Sequence, residues 1–219
     1  MSALEQLLEH PAIRRGRPRD GSGHGPGWPS GQPGLDALLG GSGWPLGQLI
    51  ELLGEPFGSG ETRLLVPMLT ACGQSGGWLA LVAPPATPWL PGWRQLGIPT
   101  ERILLLDTQH DTDTLWSSEQ CLRDPQFGAL LAWARGPLPT PGLRRLRLAA
   151  AESRACAILY RPSSAAAQPS PAHQRLRWRA GAEGLELEAL KGNGAWTHSG
   201  QALHIPHSEP CSGSRPGSP

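Results

Sequence analysis

The run Gly54-Glu55-Pro56-Phe57-Gly58-Ser59-Gly60-Glu61-Thr62 carries most of the residue types of a phosphate-binding loop. In the pattern G-x-x-x-x-G-K-[ST], backbone amides cradle the phosphates, the Lys ammonium reaches the β- and γ-phosphates, and the hydroxyl reaches Mg²⁺. Here Thr62 keeps the hydroxyl, but Glu61 stands where the Lys belongs, and five residues rather than four separate Gly54 from Gly60. A carboxylate facing a triphosphate repels what an ammonium would attract. The nucleotide-binding candidates are therefore a degenerate set, Gly58, Ser59, Gly60, Glu61 and Thr62. The Gly58–Gly60 amides and a helix dipole behind them could still attract an anion. The plainer reading is inherited architecture that closes a strand–helix turn. ATP binding is not expected, and no cofactor is predicted.

The elements around the loop have the setting that a nucleotide loop requires. Gln48-Leu49-Ile50-Glu51-Leu52-Leu53 reads as a strand, and Thr62 to Leu69 as a helix start despite Pro67. Leu35 to Leu39 reads as a short helix ended by Gly40-Gly41. Further on, Trp78–Ala83, Arg102–Leu106, Phe127–Trp133 and Ala155–Tyr160 read as apolar strands, as in a sheet covered on both faces. Between them lie helices over Trp89–Leu96, from a cap at Asp111, Thr112 or Asp113 through Leu122, and over Leu143–Arg154. Such alternation predicts an α/β fold with a mainly parallel sheet. Leu176–Arg179 and Gly184–Leu190 alternate apolar and polar residues and read as paired C-terminal strands. Trp44, Trp78, Trp116 and Trp133 sit on predicted elements and are assigned to the core.

The predicted organisation is a docking helix over 1–15, a flexible linker over 16–33, the α/β domain over 34–206 and a disordered tail over 207–219. The first helix presents Leu4, Leu7 and Leu8 at helical spacing, and Pro11 limits it. So short a helix is marginal alone. Its apolar stripe must dock, either on its own domain or across a subunit boundary that the Gly/Pro linker would let it reach.

Gly and Pro number 29 and 24, which favours loops over element interiors. The net charge is +1 but uneven. Residues 140–191 carry eight Arg and Lys191 against four Glu, an excess that invites an acidic surface or nucleic acid. The candidates for DNA or partner contact are Arg144, Arg145 and Arg147 on the basic helix, with Arg175, Arg177, Arg179 and Lys191 on the later strands. The alternative is a solvated Arg-rich face. Only Trp178 interleaves them, so base stacking is weakly supported.

Cys72, Cys121, Cys156 and Cys211 lack C-x-x-C spacing and read as reduced, buried thiols. His198, His204, His207 and Cys211 lie in a polar terminal segment and are not assigned to a metal. No segment is long and apolar enough for a membrane span, and Met1 to Glu5 lacks a basic n-region. A cytoplasmic location and no membrane partner are expected.

The stretch from Gly34-Leu35-Asp36 through Gly40-Gly41 and Pro45-Leu46-Gly47 to Glu51 and Gly54 resembles the entry to RecA-type ATPase cores. The likeness spans roughly residues 30–135. Several further segments resemble the ImuA family of the SulA-like group. These are Leu7-Leu8 with Pro11-Ala12-Ile13, the loop Gly58–Glu61, Leu81-Val82-Ala83-Pro84-Pro85, Trp116 with Glu119-Gln120, and Leu143–Ala150. The resemblance implies a RecA-like P-loop core and a part in SOS-induced translesion DNA synthesis. The implied partners are RecA, an inactive Y-family-like polymerase subunit and an error-prone DnaE-type polymerase. Relative to RecA-type enzymes, Pro84-Pro85 stand where a water-activating glutamate is placed, and Trp133 where an Asp organises Mg²⁺. Without charge clamp, base or metal ligand, phosphoryl transfer lacks its parts. The reading is a non-catalytic adaptor. A divergent DNA-dependent ATPase and a SulA-type cell-division inhibitor are the alternatives.

Overall fold

The computed structural model describes residues 25–54, 60–192 and 202–206. Continuous apolar runs build the centre of the sheet. Strands β3 (Gln48–Leu53), β4 (Trp78–Val82), β6 (Phe127–Trp133) and β7 (Cys156–Arg161) bury nearly every residue. That is the signature of strands covered on both faces. With β5 (Ile103–Leu106), β8 (Gln174–Ala180), β9 (Gly184–Lys191) and β10 (Ala202–Pro206) they form an eight-stranded sheet, ordered β10-β9-β8-β3-β7-β6-β4-β5. From β8 to β5 all neighbours are parallel, and β9 and β10 extend the sheet antiparallel. The fold is mixed α/β with a mostly parallel sheet, as the alternation predicts.

Two apolar layers flank the sheet. One gathers Ile50, Leu52, Leu131, Ile158 and Tyr160 under α1 (Pro33–Leu39) and α2 (Val66–Gln74). The other gathers Leu49, Leu130 and Leu159 under α4 (Asp111–Arg123) and α5 (Thr140–Glu152). The short α3 (Leu90–Gln95) leads into the edge strand β5. Helix α1 starts at Pro33 and stops where Gly40 adopts φ 110°, a left-handed conformation open to glycine at no steric cost.

Several expectations change. Residues 25–33 are not a free linker: β1 (Gly27–Trp28) pairs with β2 (Trp44–Pro45), and the Ser30 amide donates to the Asp36 carboxylate at 3.0 Å. The helix expected from Thr62 begins as a 3₁₀ turn over Glu61–Leu65, and α2 opens only at Val66. Pro67 explains the shift, since it lacks an N–H and fits only the first turn of a helix. Trp116 is 63 % exposed on α4, whereas Trp178 takes the core place not assigned to it, at 1 %. No side chain caps α4; Asp111 instead accepts the Arg135 and Gly136 amides at 3.0 and 2.9 Å, bracing the turn after β6. Cys72, Cys121 and Cys156 are free and buried, and burial pushes the Cys72 thiol up to about 11. The docking helix with Leu4, Leu7 and Leu8 and the tail 207–219 lie outside the described residues.

Candidate functional site

The loop that follows β3 stands at the carboxyl ends of the parallel strands, where open α/β sheets bind ligands. Its first residue, Gly54, extends the ladder by donating to the Arg161 carbonyl at 3.2 Å. Any Cβ on Gly54 would lie 2.2 Å from the Trp178 indole, so a glycine is required for Trp178 to cover the strand end. Gly58 and Ser59 fall outside the described residues. Gly60 turns the chain at φ 99°, and Glu61 opens the 3₁₀ turn. The Trp44 indole Nε1 donates to the Leu64 carbonyl at 3.2 Å and pins that turn to β2. The segment against the loop is therefore 3₁₀. The aligned α-helical amides that favour an anion start further along the chain, at Val66.

Glu61 does not face outward. It is 4 % exposed, and its charge, after burial itself, raises the pKa of the fully buried Tyr160 at the end of β7. Tyr160 in turn stacks on Trp133, their rings 4.9 Å apart and 6° from parallel, at paired positions of β6 and β7. Near the carboxyl ends of β6 and β7 the core thus holds an aromatic pair, with the buried Glu61 close enough to act on Tyr160. After β4, Ala83 is buried at φ 53° and leads into Pro84 and Pro85. Thr62 is half-buried in the 3₁₀ turn. Among the described residues no group of His, Cys, Asp or Glu is placed to hold a metal ion.

The structure does not gather the seven basic candidates into one surface. Arg144 and Arg147 are exposed on the outer side of α5, while Arg145 reaches Glu119 of α4 at 3.4 Å. Arg175 belongs to the interior. Its Nε donates to Glu51 at 2.7 Å and its guanidinium also to the Ala165 carbonyl at 2.7 Å. Glu51, fully buried on β3, also accepts from buried Arg161 at 3.1 Å and from Ser170 at 2.6 Å. Arg177 is paired across the strands with Glu188, Nε to carboxylate at 3.0 Å, while Arg179 is exposed near the end of β8. The Lys191 ammonium donates to the carbonyls of Ala172 and Ser170 at 2.6 and 3.2 Å. Burial, Arg147 and Arg175 together lower its pKa. Sequence reasoning missed the Glu51–Arg161–Arg175 cluster. Its signal was there: one carboxylate within the apolar run Leu49–Leu53, and an arginine closing the apolar strand β7.

His173 is the other residue that went unnoticed. Its Nδ1 accepts the Leu49 amide at 3.0 Å, while its own amide donates to the Leu49 carbonyl at 2.9 Å. The side chain thereby stands in for a strand neighbour at the entry to β8. Burial lowers its pKa, and Arg147 and Lys191 add to the effect.

These features define a class: a mixed α/β chain with a mostly parallel sheet and a Gly-rich loop after one of its central strands, with Glu61 at the lysine position of the phosphate-loop pattern. No family model matches the chain. Over 124 residues it is 30 % identical to ImuA of Caulobacter vibrioides, covering 54 % of this chain and 50 % of that protein. Over 104 residues it is 29 % identical to the cell division inhibitor SulA of Pectobacterium atrosepticum, covering 48 % and 62 %. RecA of Oleidesulfovibrio alaskensis is 32 % identical over 95 residues, which are 43 % of this chain and 27 % of RecA. The crystal structure of SulA from Pseudomonas aeruginosa aligns at 29 % identity and a TM-score of 0.43, over 52 % of this chain and 97 % of that one. The chain is thus similar to ImuA and SulA proteins, as its sequence indicates. It spans only part of each of these curated relatives.

Proposed function

We propose that the chain is a non-catalytic RecA-like adaptor in SOS-induced translesion DNA synthesis. It would act by contact with RecA, an inactive Y-family-like polymerase subunit and an error-prone DnaE-type polymerase. One observation supports the non-catalytic part: Glu61, at the lysine position of the loop pattern, is buried near the Trp133–Tyr160 stack rather than open to a phosphate. Bringing Glu61 out of the core to face a triphosphate would cost packing and set a carboxylate against the phosphates. Similarity to ImuA and RecA supports the SOS setting and the RecA-like reading of the fold. The test is mutation frequency after DNA damage in a deletion strain. Induced mutagenesis falls in the deletion and returns with the wild-type chain. Unchanged induced mutagenesis in the deletion overturns the proposal. Complementation with Glu61→Lys then separates loop chemistry from contact, since the adaptor gains nothing from a restored lysine.

A second reading, a SulA-type division inhibitor, draws on the share of SulA proteins covered, 61–67 % against 50 % of ImuA. Filamentous cells on overexpression, with mutation frequency unchanged, would favour it.

A further inference from the structure

At the opposite end of the sheet from the loop, the entries to β4 and β6 border a groove of about 300 Å³. Its walls include Gly76, Gly77, Trp78, Arg102, Phe127 and Arg154. All of them sit at amino ends of parallel strands or at the turns leading into them. Trp78 and Phe127 are register partners whose rings lie 6.5 Å apart at 57°, and both are only half-buried, at the heads of strands whose later residues are sealed in the core. Arg154 is exposed just beyond the end of α5 and makes no hydrogen bond or ion pair among the described residues. Arg102 donates through one Nη to the Gly76 carbonyl, which fixes its stem beside the groove and leaves the rest of the fork open. Among the described residues no carboxylate lines the groove. Asp124 accepts the Gln126 amide at 2.9 Å, Glu101 pairs with Arg94, and Glu152 is exposed on the last turn of α5.

Two guanidiniums flank a pair of partly open aromatic rings, with wall positions 76 and 77 lacking side chains. Guanidiniums suit phosphates, and rings suit bases of any sequence. We propose that this groove binds single-stranded nucleic acid, with Arg102 and Arg154 on the backbone phosphates and a base stacked against Trp78. The site does not depend on the adaptor reading, and it differs from the basic helix and strands that the sequence singled out. An acidic peptide would use the arginines but not the rings.

The test is fluorescence anisotropy of a labelled oligo-dT titrated with the full chain at several salt concentrations. Arg102→Gln and Arg154→Gln are each expected to weaken binding and to reduce the slope of log K against log salt by about 0.7. Trp78→Ala is expected to weaken binding on the order of tenfold with the salt slope kept. Arg135→Gln, exposed past the carboxyl end of β6 and so at the other end of the sheet from the groove, leaves both unchanged. Thermal melts confirm that each variant folds, and Arg154, exposed and unbonded, provides a variant that does not disturb the core. The proposal is overturned by any of three results: no oligonucleotide binding, wild-type affinity in both Arg154→Gln and Trp78→Ala, or poly-glutamate competing equally well in wild type and Trp78→Ala.

Discussion

Replacing Glu51 with Ala removes a carboxylate shared by two buried guanidiniums. Glu51 and Arg161 are 0 % exposed and Arg175 is 7 %. The lost contacts are 3.1 Å from Arg161, 2.7 Å from Arg175 and 2.6 Å from the Ser170 hydroxyl. Breaking a buried pair by removing one partner costs about 3–5 kcal/mol, because it strands a charge. The Ser170 hydroxyl loses its acceptor but is half-buried and still accepts the Ala172 amide at 3.1 Å, so it adds little. Against a total stability of about 5–15 kcal/mol, the cost of the stranded charge is a large fraction. For a domain of this size it corresponds to a fall of roughly 10–20 °C in melting temperature. The assay is thermal unfolding followed by circular dichroism. The triple replacement of Glu51, Arg161 and Arg175 by Met should recover most of the loss, since an apolar substitute strands nothing. A fall of less than about 3 °C for Glu51→Ala would refute the reasoning. It would mean that Arg175 is solvated and available to an external anion, as its place in the sequence first suggested.

Three other outcomes follow from the same geometry. Gly54→Ala drives a Cβ to 2.2 Å from the Trp178 indole and should destabilise by about 1–3 kcal/mol, read as a lower denaturation midpoint in urea. Trp133→Ala removes the ring stacked on Tyr160 and should cost about 3–5 kcal/mol without creating ATP binding, checked by melts with and without Mg-ATP. The folded pKa of His173 lies below its ordinary value, so the unfolded chain binds the extra proton first. Its contribution to stability is present above about pH 6.5 and is lost as the pH falls toward the depressed folded value. His173→Asn, whose Oδ1 can accept the Leu49 amide, should flatten that part of the profile in melts between about pH 7.5 and pH 5.5.

The strands were readable because burial on both faces leaves uninterrupted apolar runs such as Leu79–Val82 and Ala129–Trp133. The missing lysine was equally plain, but not where its replacement would point. Glu61 turns inward because a proline six residues later delays α2 and because Trp44, distant in sequence, pins the intervening turn. The proline acts locally, whereas the Trp44 bond is a tertiary effect on a local pattern. Arg175, Arg177 and Arg179 alternate along β8, so a shared face was legible from the sequence. What meets that face depends on register with β3 and β9, which places Glu51 and Glu188 beside the first two; Glu186 is the register partner of Arg179, but among the described residues no ion pair joins them and Arg179 stays exposed. The groove at Trp78 was out of reach of local reasoning, since Arg102, Phe127 and Arg154 arrive from three separate strand entries.

The central proposal is that a non-catalytic RecA-like chain works through contact. It is tested most directly by passing purified RecA over the immobilised chain in the absence of added nucleotide. Saturable retention of RecA, unchanged by Thr62→Ala, is the predicted result. No retention of RecA, or retention that requires ATP and is lost in Thr62→Ala, would contradict it.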